Sequence, residues 1–242
     1  MRNLTFPPTL VSELGVSQML DITDQLPHNP AYTWAELAGA RDLNDLTVIV
    51  LHHSGVPKSA GCTAERHATN HINGRAYEPK GEPGIPYHFY INNGQAYQVN
   101  DVLDRTYGVA SNNAYTVHVC VEGEYYKTDQ LSDADKNALL SVMLTVKAAL
   151  PAFSAFKGHC ELNPTDCPGY NYKAIIGQAQ TLEQRLKSAD TWSMKLNKVA
   201  AIVNEINYCN GLIKAGPDDG NALWAMQKQL ELYDLMKQTG LL

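Results

Sequence analysis

The chain has 242 residues, 44% of them apolar and 18% charged, with a net charge of −6. This composition is globular rather than disordered, and the length suits one or two domains. An acidic balance without a Lys/Arg cluster argues against nucleic acid as a partner, though not against a neutral or cationic polymer.

No run of 18 apolar residues occurs, so no transmembrane helix is expected. The start, Met1-Arg2-Asn3-Leu4, has no apolar stretch behind its charge, so no secretory signal is read. The cysteines at 62, 120, 160, 167 and 209 are odd in number and irregular in spacing. That suits a reducing compartment better than a disulfide framework.

Residues 1–30 are rich in turn formers and read as an irregular arm with one short helix near Val11–Leu20. Leu46–Leu51 is a continuous β-branched run, as expected for a strand buried on both faces. It ends in His52-His53-Ser54. Strand side chains alternate, so only one of the two imidazoles can face a given cleft; both could equally be ordinary polar residues at a strand end.

Thr63 is a helix cap for the segment that follows. His67 and His71 stand at i and i+4 on it, a metal-binding spacing. The glutamate of His-Glu-x-x-His is missing, so both read as surface histidines. Tyr87–Ile91 and Gln95–Val99 flank Asn92-Asn93-Gly94 and predict a β-hairpin. Tyr87 either offers a phenol to a cleft or packs as a core aromatic.

Tyr115–Gly123 reads as another strand, with His118, Cys120 and Glu122 on one face and Val117, Val119 and Val121 on the other. The polar face is a functional surface or a wet edge. Ser132 caps a helix running to about Leu150, which Pro151 ends. From Asn171 onward the pattern is helical. One stretch covers Tyr172–Lys187, with a weak break at Ser188-Ala189-Asp190. A second carries Trp192, Leu196, Val199, Val203, Ile206, Cys209 and Ile213 on its apolar face. A turn at 216–220 leads to a third helix, Asn221–Gln238, with Leu223, Met226, Leu230 and Tyr233 in register. Residues 188–242 are too few for a comfortable core of their own, so this helical pair should pack on the first domain, a second copy or a ligand.

Strands interleaved with helices make the fold class α/β, a central mixed sheet flanked by helices, followed by a small all-helical region. In that layout the end of the first strand and the 158–168 loop can meet at one rim. His52, His159 and Cys167 would then form a three-ligand metal site with one open position. A zinc ion there would lower the pKa of a bound water to about 7 and polarise a carbonyl, which implies hydrolysis of an amide or ester.

His52-His53-Ser54, Pro86-Tyr87-His88-Phe89, the 117–123 strand, Gly158-His159 and Thr165-Asp166-Cys167-Pro168-Gly169 occur in that order. Over roughly residues 40–180 the chain resembles the type 2 N-acetylmuramoyl-L-alanine amidases. That family includes phage lysozyme-amidases and peptidoglycan recognition proteins. The resemblance implies cleavage of the bond between N-acetylmuramic acid and L-alanine in bacterial peptidoglycan. It also implies Zn2+ on His52, His159 and Cys167, Thr165 as oxyanion donor, and Tyr87 assisting the attacking water. Many members carry a catalytic glutamate where Cys120 stands here, which puts more weight on Tyr87 and leaves Glu122 as reserve general base. His118 stands where small residues are usual and has no chemical account from sequence.

Two other readings stay open: a non-catalytic peptidoglycan-binding protein of the same fold, and a zinc peptidase acting on the stem peptide. Residues 1–180 are expected to be the catalytic domain. Residues 188–242 would be a cell-wall binding module, by analogy with modular phage lysins, or a homodimerising hairpin. The absence of a signal fits a phage endolysin, which resembles its family in waiting in the host cytoplasm until holin-type release.

Overall fold

The computed structural model describes residues 1–74, 78–215 and 220–238. The chain divides into two units, Met1–Thr181 and Leu182–Leu242.

The first unit opens on α1 (Pro8–Leu14), several residues earlier than expected. Pro8 sits at the helix start, where its missing N–H costs nothing, and Gly15 closes the helix in the left-handed conformation. Then come β1 (Leu20–Asp21), α2 (Trp34–Ala38), β2 (Val48–His53), α3 (Ala64–Asn73), β3 (Phe89–Asn92) and β4 (Gln95–Gln98). After these follow β5 (Thr116–Val121), α4 (Asp133–Ala149), β6 (Ala155–Gly158) and α5 (Tyr172–Ala215). The expected hairpin is present: β3 and β4 pair antiparallel, and Asn93 and Gly94 both take positive φ, as a two-residue type I′ turn requires.

The six strands form one mixed sheet in the order β1-β4-β3-β5-β2-β6. β5 and β2 lie parallel in its interior, neither of them an edge strand, and are buried along their whole length, as the apolar run in β2 predicts. In this register Val50 faces His118, and His52 faces Cys120, across the same side of the sheet. Tyr90 on β3 joins that side opposite Cys120. Ala64 and Ala68 of α3 cover it, in a cluster with Ile85, Tyr90, Val99 and Cys120.

α4 lies against β3, β4 and β5. Its Leu139, Val142, Met143 and Val146 are fully buried, and burying each such side chain stabilises by roughly 1.5–3 kcal/mol. The Asp135 N–H donates to Ser132 Oγ at 3.1 Å, closing the predicted cap. Asp135 also accepts from the Gly94 N–H at 2.9 Å and from Lys58 Nζ at 2.6 Å, tying the hairpin turn to α4.

Two expectations about the histidines of α3 and the face of β5 change. His67 is buried, with Nε2 2.8 Å from Glu122 Oε2, and His71 Nδ1 lies 2.8 Å from Glu82. Neither is a free surface histidine. His118, Cys120 and Glu122 are all buried, so the polar face of β5 is no wet edge.

In the second unit the weak break at 188–190 does not interrupt α5. Ser, Ala and Asp each cost less than about 0.7 kcal/mol in a helix, too little to end one. The helix α6 (Gly220–Gln238) follows; the turn expected at 216–220 falls, apart from Gly220 at the start of α6, outside the described residues, as do the side chains of Trp192, Leu196 and Val199. Cys209 and Ile202 of α5 and Ala222, Ala225 and Met236 of α6 are buried. Gln229 Nε2 donates to Asn210 Oδ1 at 2.8 Å between the two helices. The buried stripe of α6 is therefore not the expected one: Leu223, Met226, Leu230 and Tyr233 are exposed, together with Trp224. The buried residues of α6 are instead the small Ala222 and Ala225, with Met236.

Candidate metal centre and active site

The last residue pair of β2 splits across the sheet. His52 turns to the α3 side, while His53 Nδ1 accepts from the Tyr125 N–H at 3.3 Å. Across from His52, β6 ends at Gly158 and runs straight into a turn that carries His159. Pairing of Leu51 with Gly158 in register sets that turn beside the end of β2. The loop then returns Cys167 to the same point, where the Cys160 N–H donates to the Cys167 carbonyl at 2.9 Å.

His52, His159 and Cys167 thus converge, each offering one ligand atom within 4.8 Å of the others. Cys167 Sγ stands 3.7 Å from His52 Nδ1. A tetrahedral ion bound at the usual Zn–S and Zn–N lengths has an S···N edge of about 3.5 Å. His159 Nε2 is buried and has no hydrogen-bond partner, which is costly for a polar atom unless something else engages it. Both observations fit a metal ion on these three side chains.

The electrostatics agree. Burial, with His118 and His159 nearby, holds His52 well below the ordinary imidazole value, and burial with His53 lowers His159. Both rings are neutral near pH 7 and free to ligate. Burial pushes the Cys167 thiol up to about 12, while the His53 N–H, donating to Sγ at 3.4 Å, pulls the other way. A bound cation would take the thiol to thiolate outright.

His118 gains a chemical account here. Its Nδ1 lies 3.1 Å from His52 Nε2, the ring nitrogen that points away from Cys167. His118 Nε2 is 3.2 Å from Thr116 Oγ1, which donates to the Asn112 carbonyl at 2.9 Å. The protons assign without conflict: His52 Nε2–H to His118 Nδ1, His118 Nε2–H to Thr116, Thr116 O–H to Asn112. This relay fixes the tautomer that leaves His52 Nδ1 with a lone pair toward Cys167, as partners of ligating histidines do. Gly108 makes room for the ring, since a Cβ there would stand 2.6 Å from His118 Nδ1. His118→Ala should lower metal affinity by about 10–100-fold while the fold persists, measured by competition with a chromogenic chelator. Unchanged affinity would deny His118 this orienting role.

The same burial makes a pH prediction. His52, His88 and His118 are all held well below the ordinary value of 6.5, burial being the largest cause. The unfolded chain binds protons below that value and the folded chain does not, so stability rises with pH through this window. The metal-free protein should keep its full stability above about pH 6.5 and lose up to about 1.4 kcal/mol per histidine for each pH unit below it. Urea unfolding at about pH 7.5 and pH 5.5 tests this; equal midpoints would contradict it.

The other expected site residues divide. The Tyr87 ring lies 5.3 Å from that of His52. Burial and the neighbouring Cys120 and Cys167 push its phenol well above the ordinary value, so it keeps its proton. Thr165 is exposed, and its Oγ1 accepts from the Cys167 N–H at 3.2 Å, leaving its own proton to give. Glu122 is not brought to these groups. Its Oε2 accepts from Tyr90 Oη at 2.9 Å and meets His67, beside Cys62. A cleft of about 550 Å³ opens against His159, lined by Arg105, Tyr107, Gly108, Asn113 and Asn163 among others. Arg105 brings a cation to it.

Residues 42–170 match the family model of the N-acetylmuramoyl-L-alanine amidases, type 2, which is more than half of the chain. The chain belongs to this amidase family. The fold agrees with it. The endolysin amidase LysCS from Clostridium intestinale is 20% identical at a TM-score of 0.53, over 68% of this chain and 97% of that one. PGRP-LB from Drosophila is 17% identical at 0.50, over 62% and 87%. The ectodomain complex of peptidoglycan recognition proteins LCa and LCx, solved with bound tracheal cytotoxin, is 16% identical at 0.50, over 65% and 93%. At these identities the likeness is one of fold. No curated protein sequence matches the chain significantly.

Within the amidase family match, His52, Tyr87, His159, Thr165 and Cys167 all fall inside residues 42–170, as does the His118 relay. The relay was the part that sequence reasoning missed. Its only signal was a histidine on the polar face of β5, two residues before Cys120.

Proposed function

We propose that the chain is a zinc-dependent N-acetylmuramoyl-L-alanine amidase that cleaves the amide between N-acetylmuramic acid and L-alanine in bacterial peptidoglycan. The observation that carries this reading is the convergence of His52, His159 and Cys167 beside an open cleft, with His159 Nε2 buried and unpartnered. A zinc ion held there supplies a Lewis acid for the scissile carbonyl and lowers the pKa of the attacking water.

The chain's own side chains do the rest. The cleft beside His159 receives the glycan–peptide junction, and Arg105 suits a carboxylate of the stem peptide. Tyr87, protonated, donates toward the reacting oxygens and orients the water. Thr165, with Oγ1 anchored by the Cys167 N–H, donates a hydrogen bond to the developing oxyanion. Glu122 is engaged by His67 and Tyr90, which favours Tyr87 over Glu122 as the assisting group.

Purified walls digested by the protein should gain new L-alanine amino termini while reducing sugar stays flat, and chelation should stop the reaction. A rise in reducing sugar would make the protein a glycosidase. Amino termini on other residues would make it a peptidase. Zinc binding with no product would leave only a peptidoglycan-binding role, a reading that the retained Cys167 argues against.

The proposed biological setting is phage endolysin action in host lysis, the protein reaching the wall through a holin-type release. Residues 1–180 would be the catalytic domain and 188–242 a wall-binding or homodimerising module. The exposed Leu223, Trp224, Leu230 and Tyr233 support either use. Leu230→Glu in the full chain should halve the solution mass in one case and reduce sedimentation with walls in the other.

A further inference from the structure

A second set of metal-ligating side chains lies apart from the first. Cys62, just before α3, His67 on α3 and Glu122, just beyond β5, each offer a ligand atom within 4.8 Å of the others. All three are buried, Glu122 at 1% exposure. Glu122 Oε1 is buried without a partner, while Oε2 meets His67 Nε2 at 2.8 Å and Tyr90 Oη at 2.9 Å. A carboxylate buried with one oxygen unsatisfied is expensive, and a buried charge is ordinarily paired or on a metal.

We propose that Cys62, His67 and Glu122 form a second divalent-metal site, distinct from that of His52, His159 and Cys167, which takes zinc.

The donor set is thiolate, imidazole and carboxylate, a combination that zinc accepts and that hard cations such as magnesium or calcium do not. The ion would give Glu122 Oε1 its missing partner. It would also offset the charge of the carboxylate, which together with burial raises the Cys62 thiol in the ion's absence. Binding replaces the thiol proton, so one proton is released for the ion taken up. On binding, His67 Nε2 gives up its hydrogen bond to Glu122 Oε2, turns its lone pair to the ion and carries its proton on Nδ1. Tyr90 Oη, already on Glu122 Oε2, orients the carboxylate from outside the ligand set.

A cleft of about 280 Å³ is lined by Thr63, Ala64, Tyr90 and Asn92, at the edge of the cluster. The consequence is mechanical. Cys62 and His67 belong to the α3 segment and Glu122 to the end of β5, so one ion clamps the helix onto the sheet face that carries His52 and Cys120.

The test is a zinc count on the full chain, equilibrated with micromolar zinc and dialysed, read by elemental analysis. Wild-type protein should hold two equivalents. Cys62→Ser and Cys167→Ser should each hold one, and the double variant none. Glu122→Gln, which keeps the side chain's shape, should lose the same equivalent as Cys62→Ser and covers the case in which Cys62→Ser does not fold. In Cys167→Ser loaded with cobalt, a thiolate-to-metal absorption band should remain and should vanish when Cys62→Ser is added. A wild-type count of one that Cys167→Ser removes would overturn the proposal. So would a second equivalent indifferent to both Cys62→Ser and Glu122→Gln. Neither result depends on amide cleavage, so the outcome is separable from that of the amidase reading.

Discussion

Cys167→Ser is expected to remove one equivalent of zinc and reduce release of L-alanine amino termini from cell walls to the level of a chelated control. Losing a group that merely orients a ligand costs about 10–100-fold in affinity, and losing the ligand itself should cost more than that upper figure. Serine is nearly isosteric, but its hydroxyl stays protonated where the thiolate would be the anionic ligand. The packing around position 167 is otherwise retained, because the bonds from Cys160 and to Thr165 run through the backbone. The fold should therefore survive, which circular dichroism can check. Peptidoglycan binding should survive too, since the 550 Å³ cleft is lined by other side chains. A Cys167→Ser protein that kept its full zinc content and full rate would take Cys167 out of the ligand set. The amidase reading would then lose the observation that carries it.

Much of this site is legible in the sequence because its chemistry is written locally. The β-branched run into His52 gives a buried strand, and a strand's alternation separates His52 from His53. His159 and Cys167 lie on one loop, and Asn93-Gly94 marks its hairpin without help from tertiary structure. What stays hidden is whatever needs several elements at once. β6 is four residues, Ala155–Gly158, without alternation, and exists by pairing with β2. His118 acquires its role only when the parallel register of β2 and β5 sets it within reach of His52. His67 and His71 look like surface residues because helical spacing does not show that a strand-end glutamate waits beneath His67. In α6 the large residues Leu223, Met226, Leu230 and Tyr233 mark one apolar face, yet Ala222, Ala225 and Met236 are the buried ones.

Tyr87→Phe should separate assistance at the reacting oxygens from metal binding. The substitution keeps the ring beside His52 and the packing against the Ile85, Tyr90 and Cys120 cluster. It deletes only the hydroxyl. If that hydroxyl gives a proton or orients the water in the transition state, kcat should fall about 10²–10⁴-fold, the usual contribution of a positioned acid or base. Zinc content and KM should change little, since the group is neither a ligand nor part of the cleft lining. Burial and the two nearby cysteines keep the phenol protonated, so its loss should not shift the acid limb of the rate profile. Stability should drop by only about 1 kcal/mol, the worth of one hydrogen bond. With Glu122 held by His67 and Tyr90, no other carboxylate among the described site residues stands ready to replace the phenol. A Tyr87→Phe protein with wild-type kcat would mean that zinc and Thr165 suffice for the chemistry. A matching loss in Glu122→Gln at full occupancy of the His52–His159–Cys167 site would instead return Glu122 to the role of base.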